Sequence, residues 1–410
     1  MSRVAIRNIG QLVTMRGPRR SRAGGEMSDI GLVSDGEVHI VADQVVFAGL
    51  SSDAPSFTAD DEYDAAGGVV TPGLVDAHTH AVFAGDRADE FEERATGTSY
   101  QEIAARGGGI LSTVRKTREA SESDLYQQSL KHAQWMVHCG TTTAEIKSGY
   151  GLDLETELKM LRVAKDLATS GLTVVRTFLG AHAVPPEARS NVEYLDFVIH
   201  DMLPKVREHC EYVDMFVEDK YFDKKDATRY AEAAKALGLG VRLHVDQMRD
   251  SGGALLAAEL QADTADHLEY SGKEGLACMD QSRTMPVLLP GSVYGIRADK
   301  YPDFAFMKEI GLPVVLASDF NPGSSPTPSL PFCMSLAVTK MGMSVAEALT
   351  ACTINAAYSL KRGHRVGSLE PDKQGDLVIW DLKDYREIAF WVGFSPIRHV
   401  LAQGSCLFFG

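Results

Sequence analysis

Positive charge, paired cysteines and long apolar runs are all scarce in this sequence. Its 410 residues carry 41 Lys and Arg against 56 Asp and Glu, a formal net charge of −15 at pH 7. A surplus of that sign argues against nucleic acid and anionic membranes as partners, because both repel a negative surface. The six cysteines, Cys139, Cys210, Cys278, Cys333, Cys352 and Cys406, form no Cys-x-x-Cys pair. Neither a zinc ribbon nor a disulfide framework is suggested, and reduced, buried thiols are expected. No stretch of about 18 apolar residues is present to span a bilayer. The N-terminal Met1-Ser2-Arg3-Val4-Ala5-Ile6 lacks the apolar core of a secretory signal, so a cytoplasmic location is expected.

What is present is an ordinary globular composition, 44% hydrophobic and 24% charged, on a chain longer than one hydrophobic core usually fills. Both ends read as β-structure. Val38-His39-Ile40-Val41 and Val45-Val46-Phe47-Ala48-Gly49 near the start, and Gly375-Asp376-Leu377-Val378-Ile379-Trp380-Asp381 near the end, are short β-branched runs between turn formers. Neither piece alone buries an apolar face. Residues 1–72 and 364–410 are therefore expected to share one small β-sandwich.

Between them, over residues 73–363, eight strand-like runs alternate with helical patterns. The strands are expected at Leu74 to Ala77, Thr142 to Ile146, Thr173 to Phe178, Tyr212 to Val217, Val241 to Val245, Thr264 to Leu268, Pro286 to Leu289 and Pro313 to Ala317. Helices are expected at Leu154 to Ala168 behind an Asp153 cap, Lys224 to Leu237, Gly253 to Leu260, Pro331 to Thr339 and Val345 to Leu360. This rhythm predicts an α/β fold, a (β/α)8 TIM-like barrel. A doubly wound sheet is the rival, but no Gly-x-Gly-x-x-Gly follows the first strand, and Gly107-Gly108-Gly109 reads as a loop.

Barrels carry their chemistry at the C-terminal ends of strands, and the histidines concentrate there. His78 and His80 close the first strand, two residues apart, so both imidazoles point the same way. His244 ends the fifth strand, His267 the sixth and Asp319 the eighth. Three imidazoles and one carboxylate, His78, His80, His244 and Asp319, make a set suited to one Zn2+ or Fe ion with a position open for water. His267 is left as a fifth ligand, a group behind the ligands, or an electrophile beside the scissile carbonyl. His39, His132, His138, His200, His209, His364 and His399 fall outside strand ends and are expected to be structural.

Pro72-Gly73-Leu74-Val75-Asp76-Ala77-His78-Thr79-His80, together with the composite β-domain, resembles the amidohydrolase superfamily. A narrower likeness lies in Ala81-Val82-Phe83-Ala84-Gly85-Asp86-Arg87, Gly107-Gly108-Gly109-Ile110 with Thr113 and Arg118, Glu145-Ile146-Lys147-Ser148-Gly149-Tyr150-Gly151-Leu152, Phe178-Leu179-Gly180-Ala181-His182 and Ser318-Asp319-Phe320-Asn321-Pro322-Gly323-Ser324. These stretches are similar to the members that hydrolyse the cyclic amide of 4-imidazolone-5-propanoate. The resemblance implies that Arg87 binds the substrate's carboxylate and that Tyr150, His182, Asn321, Gly323 and Ser324 contact the substrate. It also implies a homodimer. At position 247 the family carries Glu or Gln; Gln247 cannot move protons, so it is assigned to substrate binding and proton transfer falls to Asp319 and His267.

Two other readings stay open on the sequence. One is an aminohydrolase acting on a nucleobase-like ring, for which a Glu at position 247 is usual; the other is a barrel that has lost its metal. Dinuclear relatives bridge their ions with a carboxylated lysine on a middle strand. The third strand ends at Gly180-Ala181-His182 without one, which favours a single ion, although Lys147 and Lys220 lie near other strand ends.

Overall fold

The computed structural model describes residues 2–98, 102–103, 106–218 and 221–409. Strands β1 (Arg3–Val13), β2 (Leu32–Val41), β3 (Gln44–Leu50) and β4 (Asp61–Pro72) lead without a long helix to Gly73. Gly73 is the only residue between β4 and the barrel's first strand, and a side chain on it would come within 2.2 Å of Thr142.

The barrel strands are β5 (Leu74–Thr79), β6 (Thr141–Lys147), β7 (Thr173–Ala181), β8 (Tyr212–Val217), β9 (Gly240–Val245), β10 (Thr264–His267), β11 (Met285–Leu288) and β12 (Val315–Leu316). They pair in parallel in chain order. Every residue of β5, β6 and β8 is buried, as a sheet covered on both sides requires. The seam between last and first strands is closed by Asp319 N–H donating to the His78 carbonyl at 3.0 Å and His80 N–H donating to that of Phe320 at 2.9 Å. Closure of the barrel therefore runs through the backbone of three expected site residues.

The last strand is shorter than the expected Pro313 to Ala317. Pro313 has no N–H to give to a ladder, and Ser318 is drawn out of line by Asp76, whose carboxylate accepts from the Ser318 amide at 3.0 Å and hydroxyl at 2.5 Å. The helix expected from Val345 to Leu360 is likewise two helices, Val345–Ala351 and Ile354–Ser359. The Cys352 carbonyl, which a continuous helix would pair internally, instead accepts from Val75 N–H of β5 at 2.8 Å. The other helices lie close to expectation: α1 (Leu154–Asp166) is capped by Asp153, whose Oδ1 accepts from Thr156 N–H at 2.8 Å, and α2 (Lys224–Ala236) and α3 (Gly253–Glu259) follow β8 and β9.

Strands β13 (Leu377–Trp380), β14 (Ile397–Ala402) and β15 (Ser405–Phe409) return to the first sheet. The sandwich anticipated from the chain ends takes the form of one seven-stranded sheet in the order β15-β14-β13-β4-β1-β2-β3. It has its own apolar cluster, in which Val4, Ile6, Val38, Ile40, Leu377, Ile379 and Leu401 take part. All six cysteines are free. Among the described residues no helix is long and apolar enough to cross a membrane.

Candidate active site

The strand ends converge on one buried cluster. Ligand atoms of His78, His80 and His244 all lie within 4.8 Å of one another. Asp319 Oδ1 joins them at 3.6 Å from His78 Nε2 and 3.4 Å from His80 Nε2. The His267 ring centroid is 5.3 Å from that of His244 and 5.9 Å from that of His78, which puts it at the rim of the trio. His267 and Asp319 both hold left-handed backbone, at φ 84° and 53°. Such conformations cost on the order of 1–3 kcal/mol each and persist only where the surroundings over-determine them.

Protons in this cluster are placed by carboxylates behind it. His78 Nδ1 is 2.6 Å from Asp266 Oδ2, and His244 Nδ1 is 3.0 Å from Asp214 Oδ2. His78 Nδ1–H donates to Asp266, which leaves its Nε2 as a lone-pair donor, while His244 Nδ1 faces the Asp214 carboxylate. Nε2 of His78 and of His244 is buried with no hydrogen-bond partner among the described residues. Unsatisfied buried nitrogens are costly, and two of them aimed into one cluster with a carboxylate fit a metal ion. Burial, reinforced by Lys147 and the neighbouring imidazoles, holds His78 well below the ordinary histidine range; burial also lowers His244. Both are thus in the neutral form that ligates. Burial opposes charge on His267 as well, but Glu269, with Oε1 3.4 Å from Nδ1, prevails and raises it.

Around the cluster, each loop that brings a candidate residue is tied down by one side chain. Tyr150 sits in the loop after β6, where Glu157 of α1 accepts from the backbone N–H groups of Gly149 at 3.0 Å, Gly151 at 2.7 Å and Leu152 at 2.9 Å. His182 Nδ1 donates to the Gly149 carbonyl at 3.0 Å and its ring stacks on His80 at 5.2 Å. Gln247 Nε2 donates to Ser292 Oγ at 3.3 Å. Its loop is held by Asp246, which accepts from Ser251, Gly253, Ala254 and Ser271.

The eighth loop is self-bonded. Asn321 Oδ1 accepts from Gly323 N–H and Ser324 N–H, each at 2.8 Å, and the Ser324 hydroxyl donates to Asp319 Oδ2 at 3.3 Å. Arg87 is buried beside this loop. Its Nε donates to Glu90 Oε2 at 2.7 Å, and Glu90 Oε1 accepts from Gly109 N–H at 2.9 Å. Arg94 Nη2 donates to the Gly323 carbonyl at 3.0 Å. A cationic group and the histidine cluster therefore meet across a single turn of chain, Asp319 to Gly323.

Sequence reasoning gave no role to Asp214, Asp266, Arg242, Glu145, Glu157 or Arg94, whereas Glu90 stood among the ion-pair partners open to Arg87. The signal for the first four was available: they are charged residues inside strands that a barrel buries on both faces, where charge survives only when paired. Lys147, weighed as a bridging group, is fully buried with Nζ 2.8 Å from Glu145 Oε1 and 2.8 Å from Asp214 Oδ2. Lys220 lies outside the described residues.

A parallel barrel with three strand-end histidines and a carboxylate is the architecture of a metal-dependent hydrolase. The model of the amidohydrolase family matches residues 69–406. The chain is 48% identical over its full length to 99% of the imidazolonepropionase of Solibacter usitatus, and 44% identical over 92% of its length to 94% of that of Methylobacterium nodulans. It belongs to the amidohydrolase family and, within it, groups with the imidazolonepropionases. Its fold is also that of an adenosine deaminase from Xanthomonas campestris with bound zinc, at TM-score 0.74 and 16% identity over 98% of this chain and 92% of the other.

Proposed function

We propose that the chain hydrolyses the cyclic amide of 4-imidazolone-5-propanoate to N-formimidoyl-L-glutamate, a step of histidine degradation, at a centre where His78, His80, His244 and Asp319 hold one Zn2+ or Fe ion. The observation that carries this reading is the adjacency of the ligand Asp319 and the buried guanidinium of Arg87 across the loop that ends at Gly323. A hydrolytic centre and a carboxylate anchor are what an anionic cyclic amide needs. An aminohydrolase of a neutral ring has no use for the second.

The bound ion supplies a water acidified toward a pKa of about 7, and so a nucleophile at neutral pH. Asp319 accepts the proton of the attacking water and delivers it to the ring nitrogen as the C–N bond breaks. His267, whose proton is favoured by Glu269, donates to the carbonyl oxygen as negative charge gathers there. Arg87 binds the propanoate through its guanidinium. Tyr150, His182 and Gln247 contact the imidazolone ring. Asn321, Gly323 and Ser324 complete the contacts from the eighth loop, Gly323 by leaving room for the guanidinium. One ion rather than two is supported by Lys147, whose ammonium is engaged by carboxylates.

In the same reading the chain divides into the barrel, residues 73–363, and the composite unit of residues 1–72 and 364–410. It works as a cytoplasmic homodimer on a small anion, not on nucleic acid. The dimer rests on the family likeness alone. The test is loss of imidazolonepropanoate absorbance on adding metal-replete protein, with metal quantitation beside it; replete protein that leaves the absorbance unchanged would overturn the substrate assignment.

A further inference from the structure

Behind the histidine cluster the barrel interior contains five ionisable side chains, Glu145, Lys147, Asp214, Arg242 and Asp266, all with no exposed surface. Burying so much charge is unfavourable unless every group is paired, so their arrangement is informative. Arg242 shares two of these carboxylates: its Nη2 donates to the Ala77 carbonyl at 2.7 Å and lies 3.5 Å from Asp266 Oδ2, and its Nε is 3.6 Å from Glu145 Oε1. Lys147 lies at the middle. Its Nζ is 2.8 Å from Asp214 Oδ2, 2.8 Å from Glu145 Oε1 and 3.8 Å from Asp266 Oδ2.

Each of those carboxylates leads to a different part of the histidine cluster. Asp214 leads to His244 and Asp266 to His78, through contacts of 3.0 Å and 2.6 Å. Glu145 reaches the backbone between His78 and His80: Thr79 N–H donates to its Oε2 at 3.3 Å, and Thr79 Oγ1 donates to its carbonyl at 2.7 Å. One ammonium is thus the common neighbour of the three groups that orient His78, His80 and His244.

We propose that Lys147 is the positioning residue of the metal centre: its ammonium gathers Asp214, Asp266 and Glu145, and through them sets the direction and basicity of the ligand imidazoles. This rests on the reading of His78, His80, His244 and Asp319 as a metal site. Lys147 contacts neither ion nor substrate; it acts through the carboxylates. The same geometry denies Lys147 the other chemistry open to a lysine near a metal, since carbamate formation would replace the ammonium by an anion facing three carboxylates.

The test is Zn2+ affinity by competition with a chromophoric chelator, and the visible spectrum of the Co2+-loaded protein, for wild type, Lys147→Met, Asp266→Asn and the double variant. Changes behind ligand histidines cost about 10- to 100-fold in metal affinity. Lys147→Met is expected to lose affinity in that range and to shift the Co2+ spectrum, and the metal-free variant is expected to melt below wild type because buried carboxylates lose a cation. The double variant is expected to lose less than the product of the single losses, because Lys147 acts partly through Asp266. If Lys147→Met does not fold, Asp214→Asn and Asp266→Asn decide: less-than-multiplicative losses in their double variant support a shared cation, and multiplicative losses overturn it. Wild-type affinity and spectrum in folded Lys147→Met, or a carbamate 13C signal on Lys147 after labelling with bicarbonate, would also overturn the inference. Wild type that binds neither Zn2+ nor Co2+ would fail the metal reading itself, a distinguishable result.

Discussion

The guanidinium of Arg87 occupies the space that a side chain at Gly323 would need: a Cβ there would stand 2.1 Å from Nη1 and 2.6 Å from Cζ. The Gly323 backbone is outside the left-handed region, so only this neighbour demands glycine. Gly323→Ala is therefore expected to dislodge Arg87 while leaving the fold intact. Hydrogen bonds to a charged group contribute about 1.5–3 kcal/mol, so KM for imidazolonepropanoate should rise about 10- to 100-fold with a smaller change in kcat. Steady-state kinetics beside Arg87→Met check this; an unchanged KM in both variants removes Arg87 from substrate binding.

Metal removal should abolish turnover and also soften the protein. Nε2 of His78 and of His244 is buried without a hydrogen-bond partner among the described residues. An ion held at a thousand times its dissociation constant stabilises the fold by about 4 kcal/mol, so chelation should lower the melting temperature, and added Zn2+ or Fe2+ should restore both readouts. In Asp319→Ala neither should recover fully. Calorimetry with and without chelator decides, and a melting temperature indifferent to chelation would count against a tightly held ion.

Glu157 makes a third case. Its carboxylate takes three backbone N–H groups of the Tyr150 loop in a fully buried setting. Glu157→Gln keeps the volume but turns one acceptor into a donor facing other donors. The expected loss is about 1–3 kcal/mol of stability, the cost of unpaired buried groups, together with a raised KM as Tyr150 shifts. Urea unfolding and kinetics on the same sample measure both; stability equal to wild type would show the loop held by something else.

At Gln247 the expectation concerns pH. The wild-type amide does not titrate, so it contributes no limb to the profile of kcat/KM. Gln247→Glu adds a titratable carboxylate, which accepts from the Ser292 hydroxyl where the amide donates to it. A new ionisation should appear in the profile, with weaker binding of the anionic substrate above it. A profile superimposable on wild type would place residue 247 away from the ring.

Much of the candidate metal site was legible because its requirements are local. His78 and His80 stand two apart on a strand, and His244, His267 and Asp319 each close a β-branched run, so residue type and strand period were enough to nominate them. Asp153 as a helix cap was legible for the same reason. The carboxylate partners were not. Asp266 is 188 residues from His78 in the chain, and nothing in either neighbourhood announces the other. The break between the helices Val345–Ala351 and Ile354–Ser359 was hidden in the same way, since it depends on the N–H of Val75.

By itself, then, the sequence determined the alternation of strands and helices, the return of the C-terminus to the first sheet, and the chemical types present at the strand ends. These follow from side-chain patterning, which acts over a few residues. Only the tertiary structure decided which carboxylate stands behind each histidine, which loop leaves room for the Arg87 guanidinium, and that Lys147 lies among buried carboxylates. Proton positions and buried charges are set by whichever group lies across the barrel within hydrogen-bond reach, and closure of the sheet alone brings those groups together.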